Sequence, residues 1–516
     1  MKQLQTLSIV SPGFFGINTQ ESGVTLSPNF AQLTDNVIID KYGRLGARKG
    51  WIMKTTTGAA TLSGATIDFM MEHVNADNST VILSGSVNKI FKNGVDASLT
   101  DVTPAGYTIS ADGWKGASLN DKAMLCQEGH EPLIYSEAAS PATKTLAVHT
   151  STTASFGTNY PRDVIAAYGR FWAHDGKTVY WSTDIADTAF PAFAAGSSGL
   201  LNIASVLPNN VDTIVALASH NGFLIIFCEN SIVIYKGAEN VLDAFTLSDV
   251  ITGVGCIARD SLAYTGSDLI FLSNTGVRSL GRVIQEKSVP MRDLTKNVRD
   301  DLISDILEEQ RISGSTDNVR GVYSETNAFY LLSFPATETV FVLDMRQALE
   351  DGAARITVWY SYKACSFLRR RNRDLLIGKE NGIGLYGGYD DNNESYRLRY
   401  SSHYLDLGDP TTMKLLKQIK ATVVGGSNQS FVIKAGFDYT NNSKSYPFRL
   451  ETGAVFEYGI TEYNIGSYSV GIVLDTVKSS VGGSGNTIQI GFEADVNGDE
   501  LSIQKLDIFL KTGRTI

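Results

Sequence analysis

Short apolar stretches beside a Gly, Asn or Asp turn recur along the middle of the chain. Seven of them align with one another: "NKIFKNG", "EPLIYSE", "KTVYWSTD", "NSIVIYKG", "NTGVRSLG", "ETVFVLDM" and "NGIGLYGG". Their equivalent positions are Ile90, Ile134, Tyr180, Ile234, Val277, Val342 and Leu385, at spacings of 44, 46, 54, 43, 65 and 43 residues. Another alternating or apolar stretch lies upstream of each, so each unit is predicted to be an antiparallel meander. Repeats of about 45 residues are typical of β-propeller blades, and we expect six or seven blades.

The longest interval contains a different pattern. In "MRDLTKNVRDDLISDILEEQ" apolar residues recur every four positions, at Leu294, Val298, Leu302 and Ile306, and Leu307 widens the stripe. This period is typical of an amphipathic helix with one buried face. The sequence therefore predicts one helix over residues 291–309, inserted into the repeat.

The two ends of the chain differ from the repeats. Residues 396–516 carry longer alternating strands, which favour an antiparallel β-sandwich. Residues 1–60 have apolar side chains but little periodicity, so they must gain their order by packing on something else. We expect an N-terminal docking arm (1–60), a propeller (61–395) and a sandwich (396–516), in a mainly β protein. A chain that starts near residue 60 is accordingly expected to fold.

Composition agrees with a folded β protein, since 43% of the residues are hydrophobic and Gly numbers 48. The net charge of −10 argues against tight wrapping of nucleic acid, which needs cations that displace counterions. It is compatible with a channel through which DNA slides without specific binding. The longest compact apolar run, "FLIIFC" at 223–228, is far below the ~20 residues of a membrane-spanning helix, so we expect no membrane insertion. No signal-peptide pattern opens the sequence.

Candidate chemistry is sparse. Gly382, Gly384 and Gly387 have the G-x-G-x-x-G spacing of dinucleotide-binding loops, but a hairpin is predicted there and no helix follows to hold a phosphate. We expect no cofactor, no metal site and no catalytic residues, and hence no enzyme. The four cysteines have no C-x-x-C pair and are predicted to be reduced core residues.

The strongest charge cluster is "RRRNR", which contains Arg369, Arg370, Arg371 and Arg373 in an acidic chain. One interpretation is a solvated loop between strands. The other is a set of arginines that faces an acidic neighbouring subunit or passing DNA. The sequence leaves both open.

The N-terminal segment "FFGINTQESGVTLSPNFAQLTDNVIIDKYGRLGARKGW" resembles the tail nozzle and head-to-tail closure proteins (tail tubular protein B-like) of short-tailed bacteriophages. That family shows a Gly-Asn-Thr start, an N-x-x-I/V-D-x-x-G centre and an R-x-G-W close. The matching residues here are Gly16, Asn18, Asn36, Asp40, Gly43, Arg48, Gly50 and Trp51. The central "RDVIAAYGRFWAHDGKTVYWSTDI" and the closing "LSIQKLDIFLKTGR" are also similar to that family.

The resemblance implies a structural virion protein of the phage tail, made in the host cytoplasm. It implies a homo-hexameric ring docked on the tail adaptor, in contact with fibre or spike proteins, that gates the channel for DNA ejection. The matching N-terminal residues would serve in docking. Two alternatives remain: a propeller adhesin that binds a host glycan or protein, and a glycan-cleaving enzyme, whose paired carboxylates cannot be placed from sequence.

Overall fold

The computed structural model describes residues 5–10, 14–23, 26–56, 62–110, 113–137, 144–149, 156, 160–194, 196–207, 212–286, 293–425, 429–439, 443–449 and 474–515. The N-terminal segment contributes five short strands: β1 (Gln5–Val10), β2 (Ala31–Asp35), β3 (Val37–Ile39), β4 (Leu45–Ala47) and β5 (Trp51–Met53).

Seven antiparallel sheets follow one another along the chain, and we number them blades 1 to 7. Blade 1 holds β6 (Phe69–Val74), β7 (Thr80–Ser86), β8 (Lys89–Asn93) and β9 (Leu99–Asp101). Blade 2 holds β10 (Lys115–Leu119), β11 (Lys122–Gln127), β12 (His130–Glu137) and β13 (Lys144–Val148). Blade 3 holds β14 (Asp163–Ala167), β15 (Arg170–His174), β16 (Thr178–Trp181) and β17 (Gly199–Asn202), and a 3-10 turn follows at Ile203–Ser205.

Blade 4 holds β18 (Ile214–His220), β19 (Phe223–Cys228), β20 (Ser231–Lys236) and β21 (Thr246–Thr252). Blade 5 begins after a 3-10 turn at Arg259–Ser261 and has three strands, β22 (Ala263–Tyr264), β23 (Leu269–Ser273) and β24 (Gly276–Ser279), followed by helix α1 (Leu280–Glu286). After a 3-10 turn at Lys296–Val298 and helix α2 (Arg299–Ser313), blade 6 holds β25 (Arg320–Ser324), β26 (Phe329–Phe334), β27 (Thr339–Asp344) and β28 (Arg355–Trp359). Blade 7 holds β29 (Ser366–Arg369), β30 (Leu375–Lys379) and β31 (Gly382–Tyr386), with β5 as its fourth strand.

The seven blades form a β-propeller. Each of seven hydrophobic cores is shared by two consecutive blades, and one of them joins blade 7 to blade 1. The first strands of consecutive blades contact one another around most of this ring, β18 contacts the 3-10 turn before β22, and β29 contacts β6. The seven aligned positions of the sequence repeat, Ile90 to Leu385, all fall in the third strand of a blade, which confirms the predicted repeat.

Two further sheets enclose a single core and form the sandwich. Its C-terminal strands are β32 (Tyr396–Ser402), β33 (Thr412–Gly425), β34 (Ser430–Phe437), β35 (Lys444–Arg449), β36 (Leu474–Gly485), β37 (Ile488–Val496) and β38 (Leu501–Thr515). One sheet has the order β3-β4-β38-β33-β36, with β1 also paired to β38, and the other has the order β2-β32-β37-β34-β35.

The N-terminal segment is therefore built into its own chain, which corrects the expectation of a separate docking arm. Strands β1 to β4 belong to the two sandwich sheets, and β5 completes blade 7 by pairing with β31. The segment lacks a periodic pattern because its apolar residues are distributed over two sheets and one blade. A propeller whose last blade takes its outer strand from the N-terminus depends on that segment for closure.

The inserted helix differs in its bounds from the prediction of 291–309. Positions 291 and 292 lie outside the described residues, and α2 covers Arg299–Ser313. Leu294 lies in a turn before the helix, where its N–H donates to the carbonyl of Val277 in blade 5. The helix ends where Gly314 takes a φ of +78°. The predicted apolar face is buried in the core between blades 5 and 6, whereas Leu307, expected to widen it, is 60% exposed.

One carboxylate on α2 makes stability depend on pH. Burial and the neighbouring Asp301 raise the pKa of Asp305 to about 6. Because this folded-state pKa exceeds that of the unfolded chain, the stability linked to the protonated form is complete below about pH 4 and is lost as pH rises through 6. We expect Asp305→Asn to raise the free energy of unfolding at pH 8 by about 1–2 kcal/mol, allowing for solvent screening.

Urea unfolding at pH 8 and at pH 4 measures how the stability of the variant depends on pH. The gain in the free energy of unfolding from Asp305→Asn should disappear at pH 4. Asp300→Asn is the matched control, since Asp300 is exposed in the first turn of the same helix and should give no gain. An equal gain in the free energy of unfolding from Asp305→Asn at both pH values would contradict a raised pKa for Asp305.

Candidate functional site

The N-terminal motif residues lie in the seam where the propeller meets the sandwich. The centre of this seam is Arg48, whose side chain is buried and forms two hydrogen bonds to Asp391, at 2.8 and 2.6 Å. Its Nε also donates to the Oδ1 of Asn36 at 2.7 Å. The guanidinium lies 3.9 Å from the ring centre of Tyr396 and 4.4 Å from that of Tyr362. These contacts join the N-terminal segment, blade 7 and the start of the sandwich.

Asn36 and Asp40 shape the chain on either side of β3. Asn36 has a φ of +57°, which Asn adopts more readily than most residues, and its Nδ2 donates to the carbonyl of Arg397. Asp40 accepts hydrogen bonds from the N–H groups of Tyr42 and Arg44. The tight turn thus formed contains Gly43, one of the motif glycines.

Two other motif glycines allow close backbone approach. A Cβ on Gly50 would lie 1.7 Å from the carbonyl oxygen of Asp390, and a Cβ on Gly16 would lie 2.3 Å from that of Ile356 in β28. Any larger residue would separate the N-terminal segment from blade 6 or blade 7.

Asn18 and Trp51 complete the motif. The Oδ1 of Asn18 accepts from the N–H of Gln20, which fixes the turn after Gly16. Trp51 starts β5, and its indole ring lies 4.8 Å from the ammonium of Lys379. Burial lowers the pKa of Lys379 to about 8.

The structure thus brings the eight motif residues together along one seam inside the chain. Sequence reasoning missed their partners Asp391, Tyr362 and Tyr396. In the sequence Asp391 is part of "YDDNNES", which reads only as a polar turn. The tyrosines resemble ordinary strand residues, so no local signal distinguishes them.

We expect Arg48→Lys to lower the free energy of unfolding by about 2–3 kcal/mol, because an ammonium cannot form the paired bonds to Asp391 and also reach Asn36. Urea unfolding followed by tryptophan fluorescence measures the loss. The control is Arg311→Lys, in an exposed pair with Glu308, which should leave the urea midpoint unchanged. Equal midpoints for the two variants would show that the seam does not depend on the guanidinium.

A second cluster of charges closes the propeller axis at the end where the first strands begin. Asp260, in the turn before β22, contacts Lys115 of blade 2 at 2.6 Å, Arg259 at 2.8 Å and Arg320 of blade 6 at 3.2 Å. Arg259 also donates to the carbonyls of Gly113 and Trp114, across the axis in the segment leading into blade 2. We call this group the axial hub.

Electrostatics keep the axial hub charged. Burial alone would raise the pKa of Asp260, but the cations Arg259, Lys115 and Arg320 hold it well below its usual range. Beside the hub, burial lowers the pKa of His174, which lies 3.6 Å from Asp163. Lys115 and Arg320 come from other blades than the adjacent Arg259 and Asp260, so sequence spacing carried no signal for the cluster. Their side chains occupy the axis at this level.

The predicted arginine cluster lies at the opposite end, where Arg369 ends β29 and the other three arginines are in the turn to β30. Arg369 pairs with Glu325 at 2.5 Å, and Arg370 lies 3.7 Å from both Glu72 and Asp374. Arg371 and Arg373 are exposed, and their guanidinium groups form no ion pair among the described residues. Beside this turn is a cleft of about 420 Å³ between blades 6 and 7.

Comparisons with known proteins bear on the fold alone. No family model and no curated protein matches the chain. Among solved structures, the chain is similar to the Neurospora crassa Pan2 WD40 domain, at 8% identity, a TM-score of 0.36, and coverage of 63% of this chain and 89% of that chain. It is also similar to YCF48 bound to D1 peptide, at 10% identity, a TM-score of 0.37, and coverage of 65% and 97%.

A third similar structure is PorZ of the Porphyromonas gingivalis type-IX secretion system, at 12% identity and a TM-score of 0.37, covering 73% of this chain and 44% of that chain. At such identities and TM-scores these structures carry no argument about function. The propeller assignment rests on the seven blades and their shared cores.

Two other features are absent from the residues that the structure describes. Among them no group of three or more His, Cys, Asp and Glu side chains is placed to hold a metal ion. Within that same part of the chain, no helix is long and apolar enough to cross a membrane. The four cysteines are buried and free.

Proposed function

We propose that this chain is the structural subunit of a phage tail nozzle. Six copies form a ring that docks on the tail adaptor, contacts fibre or spike proteins, and gates the channel through which genomic DNA leaves the virion. The subunit has no catalytic role and needs no cofactor. The proposal starts from the resemblance of the N-terminal segment to that family.

The observation that carries the proposal is the location of the matching residues. All eight lie in the N-terminal segment that joins the sandwich to the propeller, where Arg48 pairs with Asp391 and β5 pairs with β31. The residues that carry the resemblance are therefore residues that hold the two parts of the subunit together. A rigid two-part subunit of this kind suits a ring that must hold its shape while DNA passes.

The axial hub supports a channel formed between subunits. Arg259 and Asp260 occupy the axis of the propeller, so duplex DNA, whose major groove alone is about 12 Å wide, cannot follow that axis. A passage for DNA then requires several copies around a common centre. With a net charge of −10 on each copy, such a passage would repel phosphates and leave DNA free to slide.

The test is assembly on virus particles that lack their nozzle. Purified chain should form six-fold rings with an axial hole in negative-stain images, and should restore infectivity when added to those particles. The same particles without added chain give the baseline. A stable monomer that neither forms rings nor restores infectivity would overturn the proposal.

A glycan-binding tail protein is the second candidate function. The cleft between blades 6 and 7 favours it, because Asn327, Asn372 and Thr326 line that cleft with hydrogen-bonding side chains. A monomer retained by a specific sugar on a glycan array would support this function over the nozzle.

A further inference from the structure

We infer that the turn between β20 and β21 of one copy seats in the cleft between blades 6 and 7 of a second copy. We call the turn, residues 237–245, the acidic knob, and the cleft, lined by Lys49, Arg373 and their neighbours, the basic cleft. The inference rests on the proposed ring and names the surfaces through which its subunits meet.

The acidic knob is a fixed projection with an apolar tip. Leu242 is 74% exposed, more than any other large hydrophobic side chain among the described residues. The turn beneath it is held by a hydrogen bond from the N–H of Ala244 to the carbonyl of Asn240, at 3.0 Å. Phe245 anchors its end by stacking on Tyr235, with ring centres 4.7 Å apart. An apolar side chain held this far into solvent favours a partner that covers it.

Charge surrounds that apolar tip. Glu239 and Asp243 flank Leu242, both are exposed, and neither carboxylate forms an ion pair among the described residues. The knob therefore presents one leucine between two negative charges that are not in ion pairs, although the carboxylate of Asp243 accepts a hydrogen bond from the side chain of Asn240. A complementary surface needs cations around an apolar floor.

The basic cleft has the complementary chemistry. Arg373 is exposed and Lys49 is half-buried at its wall, and neither side chain forms an ion pair among the described residues. The apolar part of the lining comes from Leu375 and Tyr386. A leucine of about the size of Leu242 fits a cleft of about 420 Å³ with room for its flanking carboxylates.

The carboxylates of the cleft do not cancel these cations. Glu325 is already paired with Arg369 at 2.5 Å, and Asp374 lies 3.7 Å from Arg370. The first two arginines of "RRRNR" thus neutralise the local acids. This leaves Arg373 and Lys49 available to a negatively charged partner.

The positions of the two surfaces suit a ring. In an antiparallel blade the turn after the first strand and the turn after the third strand lie at the same end, so knob and cleft open at one face of the propeller. They are separated by two and a half of seven blade intervals, or about a third of a turn. The two neighbours of a subunit in a six-membered ring are also about a third of a turn apart. Two different surfaces that bind each other form a head-to-tail contact, which gives a ring when the rotation between neighbouring copies closes.

Charge reversal tests the contact. We expect Arg373→Glu and Asp243→Arg each to weaken association at least tenfold, measured as the concentration at which rings form by light scattering and sedimentation. Both residues are exposed, so melting temperatures should stay unchanged. The chain carrying both substitutions should regain rings, because the reversed knob again matches the reversed cleft.

Lys177→Glu is the control, since Lys177 is an exposed cation in the turn between β15 and β16, at the other face of the propeller, and it should not affect ring formation. Rings that form normally in both single variants would overturn this interface and leave the proposed ring intact. Failure of the double variant to regain rings would overturn it as well. A native chain that stays monomeric at every concentration would overturn the ring and this contact together.

Discussion

Replacing Asp260 by alanine should lower the free energy of unfolding by about 3–5 kcal/mol, because it leaves buried cations without their counter-charge. Asp260 lies within 3.2 Å of its chain neighbour Arg259 and of Lys115 and Arg320, which reach it from blades 2 and 6. Removing the carboxylate therefore places three positive charges against one another at the propeller axis. The loss should be large because the first strands of the blades meet at this axis.

The dependence on pH follows from the position of this carboxylate. The pKa of Asp260 is held well below its usual range, so its stabilising effect is complete above the unfolded-state value of about 4. The difference in stability between native chain and variant should be constant from pH 8 to pH 5 and should shrink only as pH falls below about 4.

Urea unfolding at several pH values measures both effects. Asp96→Asn is the control, because Asp96 pairs with Lys54 at 3.1 Å, its side chain is 73% exposed, and Asn tolerates the φ of +50° at this position. It should barely change the urea midpoint. A midpoint for Asp260→Ala equal to that of the control would mean that water, not Asp260, balances the hub cations.

The propeller could be predicted from the sequence because each blade is marked by a pattern of neighbouring residues. Each blade repeats an apolar third strand beside a turn, and positions such as Ile90, Ile234 and Val342 are all in third strands. The same pattern excluded a dinucleotide loop, since Gly382–Tyr386 is strand β31. Gly384 in that strand faces Trp51, whose ring would lie 2.7 Å from an added Cβ.

The seam and the hub could not be predicted, because their partners are far apart in sequence. Arg48 meets Asp391 across 343 positions, and Lys115 meets Asp260 across 145. Periodicity reports only which face of an element is buried. It does not report which distant strand or charge covers that face. In the sequence the N-terminal residues are marked only by a resemblance to a family. Only the sheet pairings of β1 to β5 show where these residues lie inside the chain.

Removing residues 1–60 should abolish cooperative folding, which reverses the expectation drawn from sequence. The deletion takes β5 from blade 7 and β1 to β4 from the sandwich. Buried side chains lost with it include Ile17, Val37 and Leu45, each stabilising by about 1.5–3 kcal/mol. It also leaves Asp391 without Arg48, and β31 and β32 with unpaired edges. The three side chains alone amount to about 4.5–9 kcal/mol, a loss of the same size as the roughly 5–15 kcal/mol that stabilises a typical domain.

A chain lacking only residues 1–10 is the matched control, because it loses β1, which pairs on one side with β38, and should still unfold cooperatively. Circular dichroism and thermal melting compare the two chains with the native one. Co-expression of residues 1–60 as a separate peptide should recover soluble protein from the larger deletion, since the missing strands pair through main-chain hydrogen bonds that need no covalent link. A chain without residues 1–60 that melts cooperatively near the native temperature would instead show that the seven-bladed ring closes without β5, and that the N-terminal segment is free to dock on another protein.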